Sequence, residues 1–209
     1  MKTCAIIPVK TFSVAKTRLK LSETQKEEIC KAMLEEVLST VSKSQLIDKI
    51  ILVSKDETVL KLGRQFNPVE IFDDELGVNH AVYLADQYIL DNKYDRSVIF
   101  PQDIPIMRSS DIDNLLSFRQ SKNSVIIVPS RQLNGTNALV RYSSNMMKTQ
   151  YDRGSYVFQL DAAKAASQNV SVALIRRIML DIDDKLDLTF MLNQNEKPDF
   201  CKRISNFHH

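Results

Sequence analysis

Seven short runs rich in β-branched and apolar residues recur along the chain, separated by longer segments whose apolar residues return every three or four positions. This alternation limits the possible folds more than any other feature. The candidate strands cover residues 3–9, 49–54, 69–72, 97–101, 124–129, 137–141 and 170–174. Two contain uninterrupted apolar runs, Ile50-Ile51-Leu52-Val53 and Val125-Ile126-Ile127-Val128. A strand without a polar side is one covered on both faces. Between the strands, Ser22-Glu23-Thr24-Gln25 has the form of a capping box and predicts a helix to about Val41. Its inner stripe would be Ile29, Met33, Leu34, Val37 and Leu38. Asn79 is the expected cap of a second helix and Ser110 of a third. A fourth should follow Gly154-Ser155, and a short one Asp183. Strand and helix in alternation predict an α/β fold, a mostly parallel sheet with helices on both faces.

Length and composition narrow the class further. With 209 residues the chain can bury one good-sized core, and no repeat, low-complexity tract or Gly/Ser linker divides it. A single domain over 1–209 is expected. No apolar run approaches the ~18 residues of a membrane span, and the apolar stretch from Cys4 to Val9 is too brief for a signal peptide. A cytoplasmic location is the resulting expectation. Cys4, Cys30 and Cys201 stand far apart with no C-x-x-C pair, which argues against a disulfide framework or a zinc site. The net charge of +2 is low for a dedicated nucleic-acid binder, and no nucleic-acid motif is present. Apolar helix faces leave a homodimer open.

In parallel sheets ligands bind beyond the carboxyl ends of the strands, so the residues just after each strand carry the functional information. After the first strand come Lys10, Lys16 and Arg18, without the glycines of a P-loop or a dinucleotide fingerprint. Arginine there can hold phosphate oxygens in a two-pronged fashion, and lysine acts as a point charge; a solvated basic loop would look the same. Asp103 follows the fourth strand in Gln102-Asp103-Ile104-Pro105, a position suited to a hard cation and equally to a turn. Asp181 and Asp183, two apart in an extended segment, would point to one side about 7 Å from each other and repel unless a cation lies between them. Asp183 or Asp184 could instead cap the following helix.

Only four glycines occur, and three lie in loops with candidate ligand groups: Gly77-Val78-Asn79, Gly135-Thr136-Asn137 and Gly154-Ser155. A helix beginning at Gly154-Ser155 would present free N–H groups to an anion. Histidine is found only at 80, 208 and 209, so His80 is the one internal candidate for proton transfer, and a helix-start histidine with its own partner is the plainer reading. Cations after one strand and carboxylates after others form a phosphate-and-metal arrangement.

The motifs I-P-V-K, A-K-T-R-L, G-V-N, Q-D-I-P, N-G-T-N-A-L, Y-D-R-G-S-Y and D-I-D with D-L, in this order over roughly residues 3 to 190, resemble the 2-phospho-L-lactate guanylyltransferases of coenzyme F-420 biosynthesis. The resemblance implies a Rossmann-like nucleotidyltransferase fold of the nucleotide-diphospho-sugar transferase type. It also implies GTP as donor, 2-phospho-L-lactate or phosphoenolpyruvate as acceptor, and release of pyrophosphate. Carried over, Asp103, Asp181 and Asp183 would hold Mg2+. Pro8, Lys16, Arg18, Gly77 and Asn79 would bind the nucleotide. Lys10, Thr136, Asn137, Gly154 and Ser155 would bind the acceptor. Lys10, Lys16, Arg18 and Asp103 would form the catalytic set. Two positions depart from the family pattern: Asp152 stands where that loop usually has glycine, and Gln159 where a histidine is common. The readings left open are a nucleotidyltransferase for another phosphorylated acceptor, such as a sugar phosphate or pterin, and a nucleotide-binding module without catalysis.

Overall fold

Seven strands form one sheet: β1 (Thr3–Pro8), β2 (Lys49–Ser54), β3 (Val69–Phe72), β4 (Arg96–Ile99), β5 (Ser124–Pro129), β6 (Thr136–Tyr142) and β7 (Asn169–Val172). They are seen in a computed structural model that describes residues 1–118, 121–143, 145–151 and 154–205. The order across the sheet is β3-β2-β1-β4-β6-β5-β7. Six strands run the same way, and β6 runs against its neighbours β4 and β5. The mostly parallel sheet expected from the sequence is present with this one reversal. Its effect is specific: the first residues of β6, Thr136 and Asn137, lie at the rim where the other strands end.

Among the described residues seven α-helices cover the sheet: α1 (Glu23–Ser42), α2 (Glu57–Gly63), α3 (Val78–Asp91), α4 (Ser109–Ser117), α5 (Ser155–Ala166), α6 (Lys185–Gln194) and α7 (Pro198–Ser205). Alternation along each strand divides the core in two. Ala5 and Ile7 of β1 and Ile126 and Val128 of β5 pack with residues of α1, α2, α4, α6 and α7. Cys4, Ile6, Val125 and Ile127 pack on the other face with α3 and α5. Each fully buried Leu, Ile or Val contributes about 1.5–3 kcal/mol. The strands are therefore held by both layers, which explains their apolar runs. All three cysteines are free and buried.

The helix starts differ in part from expectation. Ser22 caps α1 through the predicted box, accepting from the Gln25 N–H. The cap of α3 is Gly77, with φ of 113°, two residues before Asn79. The cap of α4 is Arg108 rather than Ser110, because the Asp111 carboxylate accepts from the Arg108 N–H. Of the two aspartates weighed for α6, Asp184 is the cap. Helices α2 and α7 were not anticipated, although Asp56 caps the first and Pro198 opens the second. Asp152 and the His208-His209 end lie outside the described residues.

Candidate active site

The loop after β1 is basic yet firmly seated. Phe12, Ala15 and Leu19 are buried, anchoring it from beneath. Glu75 accepts from both the Thr11 N–H (2.9 Å) and the Thr11 hydroxyl (3.2 Å), and Asp56 accepts from the Phe12 N–H. Lys10 and Arg18 remain exposed. Lys16 sits in the left-handed region at φ 53°, a conformation that costs a non-glycine residue on the order of 1 kcal/mol or more. That backbone turn sends its side chain inward.

There the Lys16 ammonium lies 2.5 Å from Asp103 Oδ2 and 2.7 Å from Asp183 Oδ1. Burial works to lower its pKa, but the attraction of Asp103 and Asp183 outweighs this and the group is held charged, above its ordinary value. Asp103 follows β4 as predicted. The segment carrying Asp181 and Asp183 is not a strand; it is fastened by single bonds to the loops after β4 and β5 and to the start of β6. The Ile182 N–H donates to the Asp103 carbonyl, the Arg131 N–H to the Met179 carbonyl, and the Asn137 amide to the Ile178 carbonyl. The Asn137 amide also donates to Asp181 Oδ1 at 3.2 Å. Burial, then the charges of Asp103 and Asp183, push the Asp181 carboxyl up to about 6 against that hydrogen bond.

On the acceptor side, the Ser155 hydroxyl donates to Thr136 Oγ1 at 3.2 Å. Ser155 is the first residue of α5, and Gly154 precedes it at φ 78°, so the free N–H groups of the helix start face the same rim. Gly135 closes the β5–β6 turn against Ser130, where a Cβ would come within 3.3 Å of the serine hydroxyl oxygen.

These residues line one open cleft of about 550 Å3. Of the residues singled out from the sequence, Pro8, Lys10, Lys16, Arg18, Asp103, Thr136, Asn137, Ser155, Asp181 and Asp183 border it. Gly77 lies on an adjoining notch. Asn79 is turned to another task, its Oδ1 accepting from the Tyr151 N–H at 2.8 Å. His80 has its own partner, Asp73, at 3.1 Å. The cleft also takes in Gln102 and Tyr151, which sequence reasoning passed over although both stand inside motifs it quoted. Gln102 Oε1 and Asp103 Oδ1 are buried without a hydrogen-bond partner.

Two unpartnered oxygens beside a crowded set of carboxylates suit a hard cation. As the side chains stand, however, no group of three or more His, Cys, Asp or Glu among the described residues is disposed to hold a metal ion. The carboxylates of Asp103 and Asp183 converge on the lysine instead. Among the described residues no helix is long and apolar enough to cross a membrane.

The fold recurs in solved structures. The 4-diphosphocytidyl-2C-methyl-D-erythritol synthase structure aligns with a TM-score of 0.64 at 14% identity, covering 91% of this chain and 96% of that one. A nucleotidyl transferase from Methanothermobacter aligns with a TM-score of 0.63 at 11% identity, covering 96% and 98%. These likenesses show the fold, that of nucleotidyltransferases of the nucleotide-diphospho-sugar transferase type.

Sequence similarity is more specific. The chain is 33% identical over 192 residues to the 2-phospho-L-lactate guanylyltransferase of Methanothermobacter thermautotrophicus, spanning 90% of this chain and 83% of that protein. It is 30% identical over 192 residues to the phosphoenolpyruvate guanylyltransferase of Conexibacter woesei, spanning 90% and 86%. The chain belongs to the family of CofC-like guanylyl transferases, whose model matches residues 3–205.

Proposed function

We propose that this protein transfers the guanylyl group of GTP to a small phosphorylated acid, 2-phospho-L-lactate or phosphoenolpyruvate, with release of pyrophosphate, as a step in coenzyme F-420 biosynthesis. The observation that carries this reading is the Lys16 ammonium between Asp103 and Asp183, on the same rim as Lys10, Arg18 and the Thr136–Ser155 pair.

The acceptor's phosphate is its nucleophile. With a second pKa of about 6 that group is ionised near neutral pH, so no side chain need remove a proton, in keeping with the engagement of His80 elsewhere. The enzyme's work is then alignment and charge neutralisation. Ser155, Thr136 and the start of α5 would hold the acceptor in line with the α-phosphorus. Lys10 would meet the acceptor's charge, and Arg18 with Lys16 would steady the departing phosphates. Asp103, Asp181 and Asp183 would hold Mg2+, which would supply the neutralisation of the triphosphate that Lys10, Lys16 and Arg18 leave incomplete. The unpartnered Asp103 Oδ1 and the raised Asp181 carboxyl are the features that such a cation would relieve.

The test offers GTP, ATP and CTP with each acceptor in the presence of magnesium and follows pyrophosphate. Release is expected with GTP and one or both of the two acids. Asp103→Asn and Asp183→Asn should each lower turnover at least ~100-fold, the scale of losing an electrostatic contact to the transition state. Near-normal turnover of either variant would refute the assignment of these carboxylates.

A further inference from the structure

Beside the cleft lies a narrow notch of about 20 Å3 bordered by Pro8 and Lys10 from the end of β1, Asp73 and Glu75 from the β3–α3 loop, and Gly77 and Val78 at the start of α3. Pro8, Lys10 and Val78 border the cleft as well, so the notch adjoins it. A nucleotide whose phosphates meet Lys16 and Arg18 in the cleft would reach the notch past Pro8 and Val78, which border both spaces. The notch's volume is that of a single water molecule or a ring edge, not of a whole base.

Two carboxylates face this notch in different states. Glu75 is spent on Thr11, one oxygen on the N–H and the other on the hydroxyl. Asp73 is 6% exposed and is fixed twice, by its own N–H donating to the Ser54 carbonyl at 3.2 Å and by Oδ1 at 3.1 Å from His80 Nδ1. Asp73 Oδ2 has no hydrogen bond among the described residues. A buried, fixed carboxylate with spare acceptor capacity selects a ligand edge made of donors.

We propose that Asp73 reads the base of the nucleotide, accepting from the adjacent N1–H and N2–H groups that guanine alone among the common bases presents side by side. Adenine and cytosine each place a ring acceptor next to their amino group, which a carboxylate repels. Uracil offers one N–H between two carbonyls. His80 acts on the base only by holding Asp73, and Glu75 only by tying Thr11 to the notch wall. This rests on the transferase reading above, and extends it by naming the group that sets base selectivity.

The experiment measures kcat/KM with GTP, ITP and ATP, and in parallel the equilibrium binding of GDP, IDP and ADP, for the wild-type protein and Asp73→Asn. ITP and IDP lack only the N2 amino group. The wild type should prefer GTP to ITP, and GDP to IDP, by about tenfold or more, as expected for a buried acceptor left without its donor. In Asp73→Asn that preference should collapse, through KM more than kcat. Equal use of GTP and ITP by the wild type would overturn the proposal without any variant, as would an unchanged preference in a folded Asp73→Asn protein. Absence of pyrophosphate from the wild type with every acceptor would sink the transferase reading alone, since the diphosphate binding series still decides the role of Asp73.

Discussion

Gln159 carries both of its amide atoms into the buried side of α5 with no hydrogen-bond partner among the described residues. It stands one turn after Ser155. An unpaired buried polar group costs on the order of 1–3 kcal/mol, so Gln159→Met, which keeps the volume and removes the polar atoms, should leave the melting temperature unchanged or raise it. A fall of several degrees in a thermal scan would show that the amide is satisfied in solution. Asp181 gives a prediction of opposite character. Its folded carboxyl is raised to about 6, above the ~3.9 of an unfolded aspartate. Between those values the native state binds more protons than the unfolded one, so this group's contribution to stability is present at low pH and is lost as pH rises through about 6. From pH 4 to 6 the melting temperature of magnesium-free wild type should therefore fall relative to that of Asp181→Asn; parallel profiles would disprove the shift. At this scale the sequence was legible for residue type and position after a strand. It was silent about Lys16 meeting Asp103 and Asp183, which stand 87 and 167 positions away, because no local pattern encodes such pairs.

Among the elements, those with a strong periodic signal were readable and the short ones were not. The capping box at Ser22 and the apolar runs of β2 and β5 announced themselves because local chemistry and burial agree there. Asn79 misled because its side chain is a good cap in general, whereas here it bonds the Tyr151 N–H and the helix begins from a glycine in a conformation other residues avoid. The direction of β6 could not be read, since an apolar strand looks the same run either way. At the start of α5, Gly154 takes φ of 78° and a Cβ there would meet nothing closer than 3.7 Å. Gly154→Ala should thus cost about 1 kcal/mol from backbone conformation alone, and chemical denaturation would measure it. Since Ser155 follows directly, KM for the acceptor should rise in the same variant while KM for GTP stays within a few-fold.

Across the whole molecule, the two helical layers have unequal duties. In the layer of α3 and α5, Val78 and Ser155 border the cleft, and α3 is tied to the sheet by an ion pair in which Arg141 of β6 meets Asp86 at 2.6 and 2.9 Å. The other layer ends in α6 and α7, reached only after the irregular stretch that bears Asp181 and Asp183. That stretch keeps its place through a handful of bonds to the loops and the strand ends around it, not through a ladder of its own. Segments of this kind open before cores do. Warming should consequently abolish turnover several degrees below the temperature at which far-ultraviolet circular dichroism reports loss of helix, and coincident transitions would contradict it. A protein arranged so would be switched off by a local loosening of its tail well before it is destroyed, and would recover on cooling with no need to refold.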